Sequence, residues 1–318
     1  MPSLPTYIVI TPARNEAALI ENTIRSVVAQ SVLPLRWVIV SDGSTDATDE
    51  IVQRYATDYP WIQLVRTPER KERHFAGKVL AFRAGYETVQ GLNYDVIASL
   101  DADITFESDY FDFLLKKLAD DPSLGVVGTP FDDAGKVYDY RFVSIEHVSG
   151  ACQVFRRQCF EAIGGYIPVK GGSIDHIAVI SARMKGWQTR TFTEKKSFHH
   201  RVMGTAEANE LRAKYNYGVK DYVIGNHPVW ECVRTLRQMR ERPYVLSGAA
   251  LAMGYCSAAI RRLPRPVSAE FLRFHRNEQM ARLKRFLFAG KSSSSSKDAS
   301  ASSSESNSTA KVAASSNL

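Results

Sequence analysis

Between residues 7 and 100 the apolar positions fall into short unbroken runs separated by amphipathic stretches. Tyr7–Ile10, Trp37–Val40, Ile62–Val65 and Val96–Leu100 have no helical period. Each reads as a strand buried on both faces, as in a parallel sheet covered by helices. Between them the spacing changes. Leu19, Ile20, Ile24, Val27 and Val28 recur on one helical face, as do Ile51, Val52 and Tyr55, and then Leu80, Ala81, Ala84 and Gly85. Strands alternating with helices of this length predict an α/β fold with a doubly wound, mostly parallel sheet.

The pattern then becomes less regular. A helix is expected over 109–118, short strands over 125–127 and 150–155, and a short helix ending at Gly164-Gly165. Ser173 to Lys185 reads as a helix opened by Ser173 and closed by Gly186, followed by a strand over 188–192. From Glu207 the chain reads as largely helical, broken near Pro228, Pro243, Pro264 and Pro266. Its most apolar run, Val245 to Ile260, is short for a membrane span. Both a buried helix and a helix lying in a membrane interface fit it. From Lys291 the sequence is Ser-rich and nearly free of large apolar residues, which predicts disorder. The expected division is therefore an α/β domain over 1–200, a helical basic extension over 201–290 and a tail over 291–318. No internal repeat is visible.

Composition adds bounds. The chain has 318 residues, of which 44% are hydrophobic, enough for one large domain or two smaller ones. Cys152, Cys159, Cys232 and Cys256 lack a paired metal spacing and suit free thiols in a reducing compartment. With no basic, signal-like segment ahead of the first strand, a cytoplasmic location is expected. The formal net charge is +7, its excess gathered between Arg234 and Arg285. Such a region suits an anionic membrane surface or a phosphorylated substrate. A nucleic-acid groove is disfavoured, because the basic residues lie apart from the acidic candidates described next.

Those candidates are Asp101 and Asp103, which leave the Val96–Leu100 strand at its carboxyl end. Open α/β sheets bind ligands at that edge. Two carboxylates so close repel unless a cation joins them, and hard oxygen donors suit Mg²⁺ or Mn²⁺. Upstream, Thr11-Pro12-Ala13-Arg14-Asn15-Glu16 follows the first strand and Ser41-Asp42-Gly43-Ser44-Thr45-Asp46 follows the second. Gly77-Lys78 opens a helix, and Gly164-Gly165-Tyr166 and the segment from Gly171 to Trp187 lie downstream.

In this order the motifs resemble the family 2 glycosyltransferases over residues 5 to about 200. That resemblance implies the GT-A fold, a Rossmann-like, mostly parallel central sheet flanked by helices, here with a helical C-terminal extension. It implies an inverting transferase that moves a sugar from a nucleotide-diphosphate sugar to an acceptor hydroxyl, with Mg²⁺ or Mn²⁺ as cofactor. Thr11, Arg14 and Glu16 then lie where the nucleotide is held. Asp42 accepts hydrogen bonds from the base, Lys78 approaches the diphosphate, Asp103 binds the metal, and Asp101 contacts the ribose or the metal. The same reading makes His200 (or its neighbour His199) a further metal ligand and lets Arg201 neutralise the diphosphate. Asp175 becomes the catalytic base.

Two departures from the family pattern matter. The acceptor motif, usually Glu-Asp, is Ile174-Asp175 here, and the Gln-x-x-Arg-Trp of processive synthases is replaced by His199-His200-Arg201. Transfer of a single sugar is therefore expected, to a glycan or polyprenyl-linked acceptor, by a protein peripheral on the inner face of the cell membrane. A sugar-nucleotide pyrophosphorylase is the enzymatic rival. It needs a Gly-rich phosphate loop after the first strand, and Thr11 to Glu16 contains no glycine.

Overall fold

A computed structural model describes residues 4–69, 76–133, 136–137, 144–201 and 210–301. The expected basic loop over 67–74 and the end of the Ser-rich tail fall partly outside these residues.

The alternation read from the sequence is present as β1 (Tyr7–Ala13), α1 (Ile20–Val28), β2 (Arg36–Asp42), α2 (Thr48–Asp58), β3 (Ile62–Thr67), α3 (Ala76–Glu87) and β4 (Val96–Leu100). Then follow β5 (Ile104–Phe106), α4 (Tyr110–Asp120), β6 (Leu124–Gly128), β7 (Phe131–Asp133) and β8 (Lys136–Val137). β9 (Cys152–Arg156), α5 (Arg157–Ala162), α6 (Ile174–Met184), β10 (Gln188–Thr191) and β11 (Ser197–His199) complete this half.

Seven strands form the central sheet in the order β10-β6-β9-β4-β1-β2-β3. Side chains alternate across it, so each strand feeds two cores. Tyr7, Val9, Trp37, Ile39, Val96 and Ala98 face α1, α2 and α4. Ile8, Ile10, Val38, Val40 and Ile97 face α3, α5 and α6. The sheet is parallel except at β9, which runs antiparallel to both β4 and β6. This exception positions the site. An antiparallel strand begins where its neighbour ends, so the loop entering β9 lies at the carboxyl edge of β4. The Asp101 amide donates to the Ala151 carbonyl at 2.9 Å, fastening the two. β5, β11, β7 and β8 make a second, smaller sheet beside that edge.

The extension consists of α7 (Glu210–Ile224), α8 (Pro228–Gln238), α9 (Leu246–Ile260) and α10 (Ala269–Ala301). α7 and α9 cross with their backbones in contact. A Cβ on Gly218 would lie 2.0 Å from the Leu251 carbonyl oxygen, and one on Gly254 2.0 Å from that of Tyr215. α10 returns to the α/β half. Arg183 on α6 holds Glu278 through two bonds of 2.7 and 3.0 Å, and Arg282 reaches Glu146 at 2.6 Å. Ile224 and Phe271 complete the core on that face.

Two expectations need revision here, and a third is refined. Ser173 does stand at the start of α6, but its side chain makes no capping bond and its backbone is left-handed, with φ 65°. Helical backbone continues to Ala301, into the stretch expected to lack structure. Residues 291–301 contain neither glycine nor proline, and extending a helix costs far less than nucleating one. The Val245–Ile260 run is both core and surface. α9 buries Leu251, Gly254 and Ala258 while exposing Met253 and Ile260, and among the described residues no helix is long and apolar enough to cross a membrane.

Candidate active site

Four charged side chains meet where β4 ends. Lys78, in the first turn of α3, is ion-paired with Asp101 Oδ1, and its ammonium lies 3.5 Å from the Gly150 carbonyl oxygen. Gly150 sits in the loop entering β9 and touches Asp175. Any Cβ there would stand 2.9 Å from both Cβ and Oδ2 of Asp175, so only glycine lets the loop approach so closely. Burial works against the Lys78 charge, but Asp101, Asp175 and Asp103 outweigh it and raise its pKa. Burial raises the Asp101 carboxyl, with Lys78 opposing.

The second sheet contributes the rest. β11 pairs antiparallel with β5, setting His199 opposite Ile104, and the His200 amide donates to the Asp103 carbonyl at 3.1 Å. Neighbouring residues on a strand point to opposite faces. His199 Nε2 therefore comes to 3.4 Å from Asp103 Oδ2, while the His200 ring turns away to the Thr105 hydroxyl at 2.8 Å. His199, not His200, is the histidine at the acidic site. Arg201 follows, its Nε 3.5 Å from Asp103 Oδ2 and its other end paired with Glu16. Burial pushes the Asp103 carboxyl up, but His199, Arg201 and Lys78 prevail and hold it below the ordinary aspartate range.

A polar depression of about 310 Å³ lies beyond β2 and β3, lined by Gly43, Ser44, Thr45, Arg66, Thr67, Pro68 and Glu69. Asp42 ends β2 beside it and accepts from the Thr67 hydroxyl at 3.2 Å. Arg14 follows β1 and is half-buried. Thr11 does not belong to this surface. It is fully buried, and its hydroxyl accepts the Trp37 indole N–H at 3.0 Å. Its side chain fastens β1 to β2 and is closed off from any ligand. Asp46 stands just before α2 and accepts from the Thr48 and Ala17 amides at 3.1 and 3.0 Å, tying the loop after β1 to the start of that helix.

These donors fit a small hard cation in part. Among the described residues no group of three or more His, Cys, Asp or Glu side chains is placed to hold an ion alone. Asp103 and His199 offer two ligands, and Asp101 is engaged by Lys78. Mg²⁺-type sites commonly take one or two carboxylates and complete their shell with substrate phosphates and water. A site finished by a diphosphate matches that arrangement.

The sequence profile of the family described as glycosyl transferase family 2 matches residues 8–172, about half of the chain. The chain belongs to that family. A probable glycosyltransferase of Bacillus subtilis, YdaM, is 32% identical over 153 residues, covering 46% of this chain and 35% of its own length. The hyaluronan synthase of Pasteurella multocida is 28% identical over 126 residues, 40% of this chain and 12% of the synthase. The chain thus matches about a third or less of these relatives. Among solved structures, the mannosyltransferase PcManGT from Pyrobaculum calidifontis, in complex with GDP-Man and Mn²⁺, superposes with a TM-score of 0.57 at 19% identity. That likeness covers 82% of this chain and 89% of the other. Staphylococcus aureus TarS 1-349 with UDP-GlcNAc gives 0.51 at 13% identity, over 80% and 73%. At these identities the likeness shows the fold.

Within this family 2 chain, sequence reasoning missed the residues that hold Asp175 from behind. Gln153 Nε2 lies 3.4 Å from the Asp175 carbonyl oxygen and 3.0 Å from that of Val148. The Tyr166 hydroxyl donates to Gln153 Oε1 at 2.8 Å. A glutamine in the middle of the apolar Cys152–Phe155 run was the available signal, since a fully buried amide must find partners.

Proposed function

We propose that the protein transfers a single sugar from a nucleotide-diphosphate sugar to an acceptor hydroxyl, with inversion at the anomeric carbon. The observation that carries this reading is the convergence of Lys78, Asp101, Asp103 and Asp175 at the end of β4, beside the depression next to Asp42. Asp42 is a carboxylate at a strand end and suits the N–H donors of a base. Arg201 carries the fixed positive charge that a departing diphosphate needs. Asp103 and His199 would hold Mg²⁺ or Mn²⁺, which when bound supplies further charge neutralisation at the diphosphate.

Asp175 is the base in this scheme. The attacking hydroxyl must lose its proton as the new glycosidic bond forms, and a positioned carboxylate accepts it. Gln153 holds the Asp175 main chain and Gly150 packs against its Cβ and carboxylate, which lies near enough to Lys78 to raise the lysine's pKa. The solved relatives named above carry GDP-Man with Mn²⁺ or UDP-GlcNAc, which supports a nucleotide-sugar donor and a divalent ion here. Relatives named as hyaluronan and poly-β-1,6-N-acetyl-D-glucosamine synthases support an acceptor in polysaccharide or glycolipid assembly. A lipid-linked glycan at the cytoplasmic face of the membrane is the acceptor the basic extension favours.

The test is a thermal-shift panel of nucleoside diphosphates with and without Mn²⁺, followed by transfer assays with the matching sugar donors. A ligand that binds only the folded state raises the melting temperature by mass action. Stabilisation by one nucleoside diphosphate that requires the metal supports the proposal. No response to any of them would overturn it.

A further inference from the structure

Two joined helices of the extension expose apolar stripes that no described residue covers. On α8, Val229, Cys232, Val233 and Leu236 are exposed at i, i+3, i+4 and i+7, while Glu231 and Thr235 face inward. On α9 the exposed positions are Leu246, Met253, Cys256 and Ile260, opposite Leu251, Gly254 and Ala258. Met253 is 64% exposed, Ile260 82% and Leu236 63%. The turn between the helices adds Tyr244 and Val245, about 60% exposed each. α9 contains no charged residue over its full length. Exposed patches of this extent ordinarily have a partner.

Charge decides which partner. Exposed Arg240 and Arg242 stand at one end of α9, and exposed Arg261 and Arg262 at the other. The one acid among them, Glu241, accepts from Gln238 Nε2 at 2.8 Å. A second copy of the chain would meet this surface through a two-fold interface, setting the arginines against themselves. An anionic bilayer instead offers acyl chains to the stripe and phosphates to the arginines. At about 1.5 Å per residue α9 is about 22 Å long. It is too short for a hydrocarbon core of about 30 Å and can lie along the headgroup boundary.

We infer that the exposed faces of α8 and α9 form a docking surface for an anionic lipid bilayer. The α9 stripe enters the interface and its flanking arginines sit at the level of the lipid phosphates. Docking draws on the proposed transfer reaction only for its purpose, to bring the site to a lipid-borne acceptor.

The test uses the full chain with Cys232→Ser, which leaves Cys256 as the exposed thiol while Cys152 and Cys159 are buried. An environment-sensitive fluorophore on Cys256 should shift to the blue with phosphatidylglycerol-containing vesicles and stay unchanged with pure phosphatidylcholine. Without the label, Met253→Glu/Ile260→Glu and, separately, Arg240→Gln/Arg261→Gln should each lower flotation with anionic vesicles by roughly tenfold or more. Circular dichroism and nucleoside-diphosphate binding should stay as in the parent. Those controls separate failure of docking from failure of the transferase reading. Equal partition into neutral vesicles, no spectral shift, or a dimer dissociated by Met253→Glu/Ile260→Glu would each overturn the inference.

Discussion

Lys78 and Asp101 are ion-paired at the end of β4, and the same ammonium lies 3.5 Å from the Gly150 carbonyl oxygen. The lysine therefore acts as a fixed cation in a ring of carboxylates. Lys78→Met leaves Asp101 facing Asp103 and Asp175 without it. The two side chains are 28% and 30% exposed, and a partly exposed pair is worth less than a fully buried one, so the expected cost is about 1–2 kcal/mol at neutral pH. Mn²⁺ should recover part of that loss, because a divalent ion replaces the missing charge. Urea denaturation with and without the metal measures both, and a variant as stable as the parent would remove Lys78 from this role.

His199 and His200 are expected to separate cleanly. Asp103→Asn and His199→Gln should each weaken metal-dependent nucleotide binding by about tenfold or more. His200→Gln, whose ring bonds Thr105 instead, should bind as the parent does. Calorimetric titration with a nucleoside diphosphate and Mn²⁺ gives the three affinities. Loss in His200→Gln alone would reverse the assignment.

Asp175→Asn distinguishes a base from a carboxylate that only favours the first turn of α6. The helix-end charge lost with asparagine is about 0.3–1 kcal/mol, so melting should change little. Transfer should fall by about 10²–10⁴ with donor affinity intact. Single-turnover transfer at saturating donor reads the chemical step, and retention of most activity would exclude Asp175 from it.

Glu231 provides a pH-dependent prediction remote from catalysis. Burial and the neighbouring Asp221 carboxylate push it up to about 7. Between its ordinary value and that point the folded protein keeps a proton the unfolded chain has released. The resulting stability is complete below the window and is lost as pH rises through it. His275, pushed down to about 4 by burial and by Arg183, Arg282 and Arg276, acts in the opposite direction. So do His176 and His147, which burial also lowers. These three cost stability as pH falls below the ordinary histidine value, so the parent's own curve mixes opposed effects. Glu231→Gln isolates one of them. Relative to the parent it should gain on the order of 2–3 kcal/mol between about pH 5 and about pH 8. A difference that does not change with pH would show that Glu231 titrates as in the open chain.

Much of this was legible along the chain because it depends on neighbours in sequence. Unbroken apolar runs marked β1 to β4, and the paired aspartates marked the edge where ligands bind. What the sequence withheld depends on pairing between distant segments. His199 faces Asp103 only through the register of β11 on β5, and a shift of one residue would present His200 instead. Thr11 stood within a ligand-binding motif, but its contact with Trp37 follows from the pairing of β1 with β2. The approach of Gly150 to Asp175 follows from β9 running against its neighbours, a direction that local periodicity does not encode.

The return of α10 to α6 bears on how the protein is made. Arg183 on α6 finds its partner at Glu278, and His176 packs against His275. A ribosome releases the α/β half first, so that face of α6 stays uncovered until α10 has emerged. Domains that fold during synthesis are prone to capture at such unfinished surfaces. A stop codon anywhere before α10 would make that transient state permanent, and the shortened chain would become a client of chaperones and proteases.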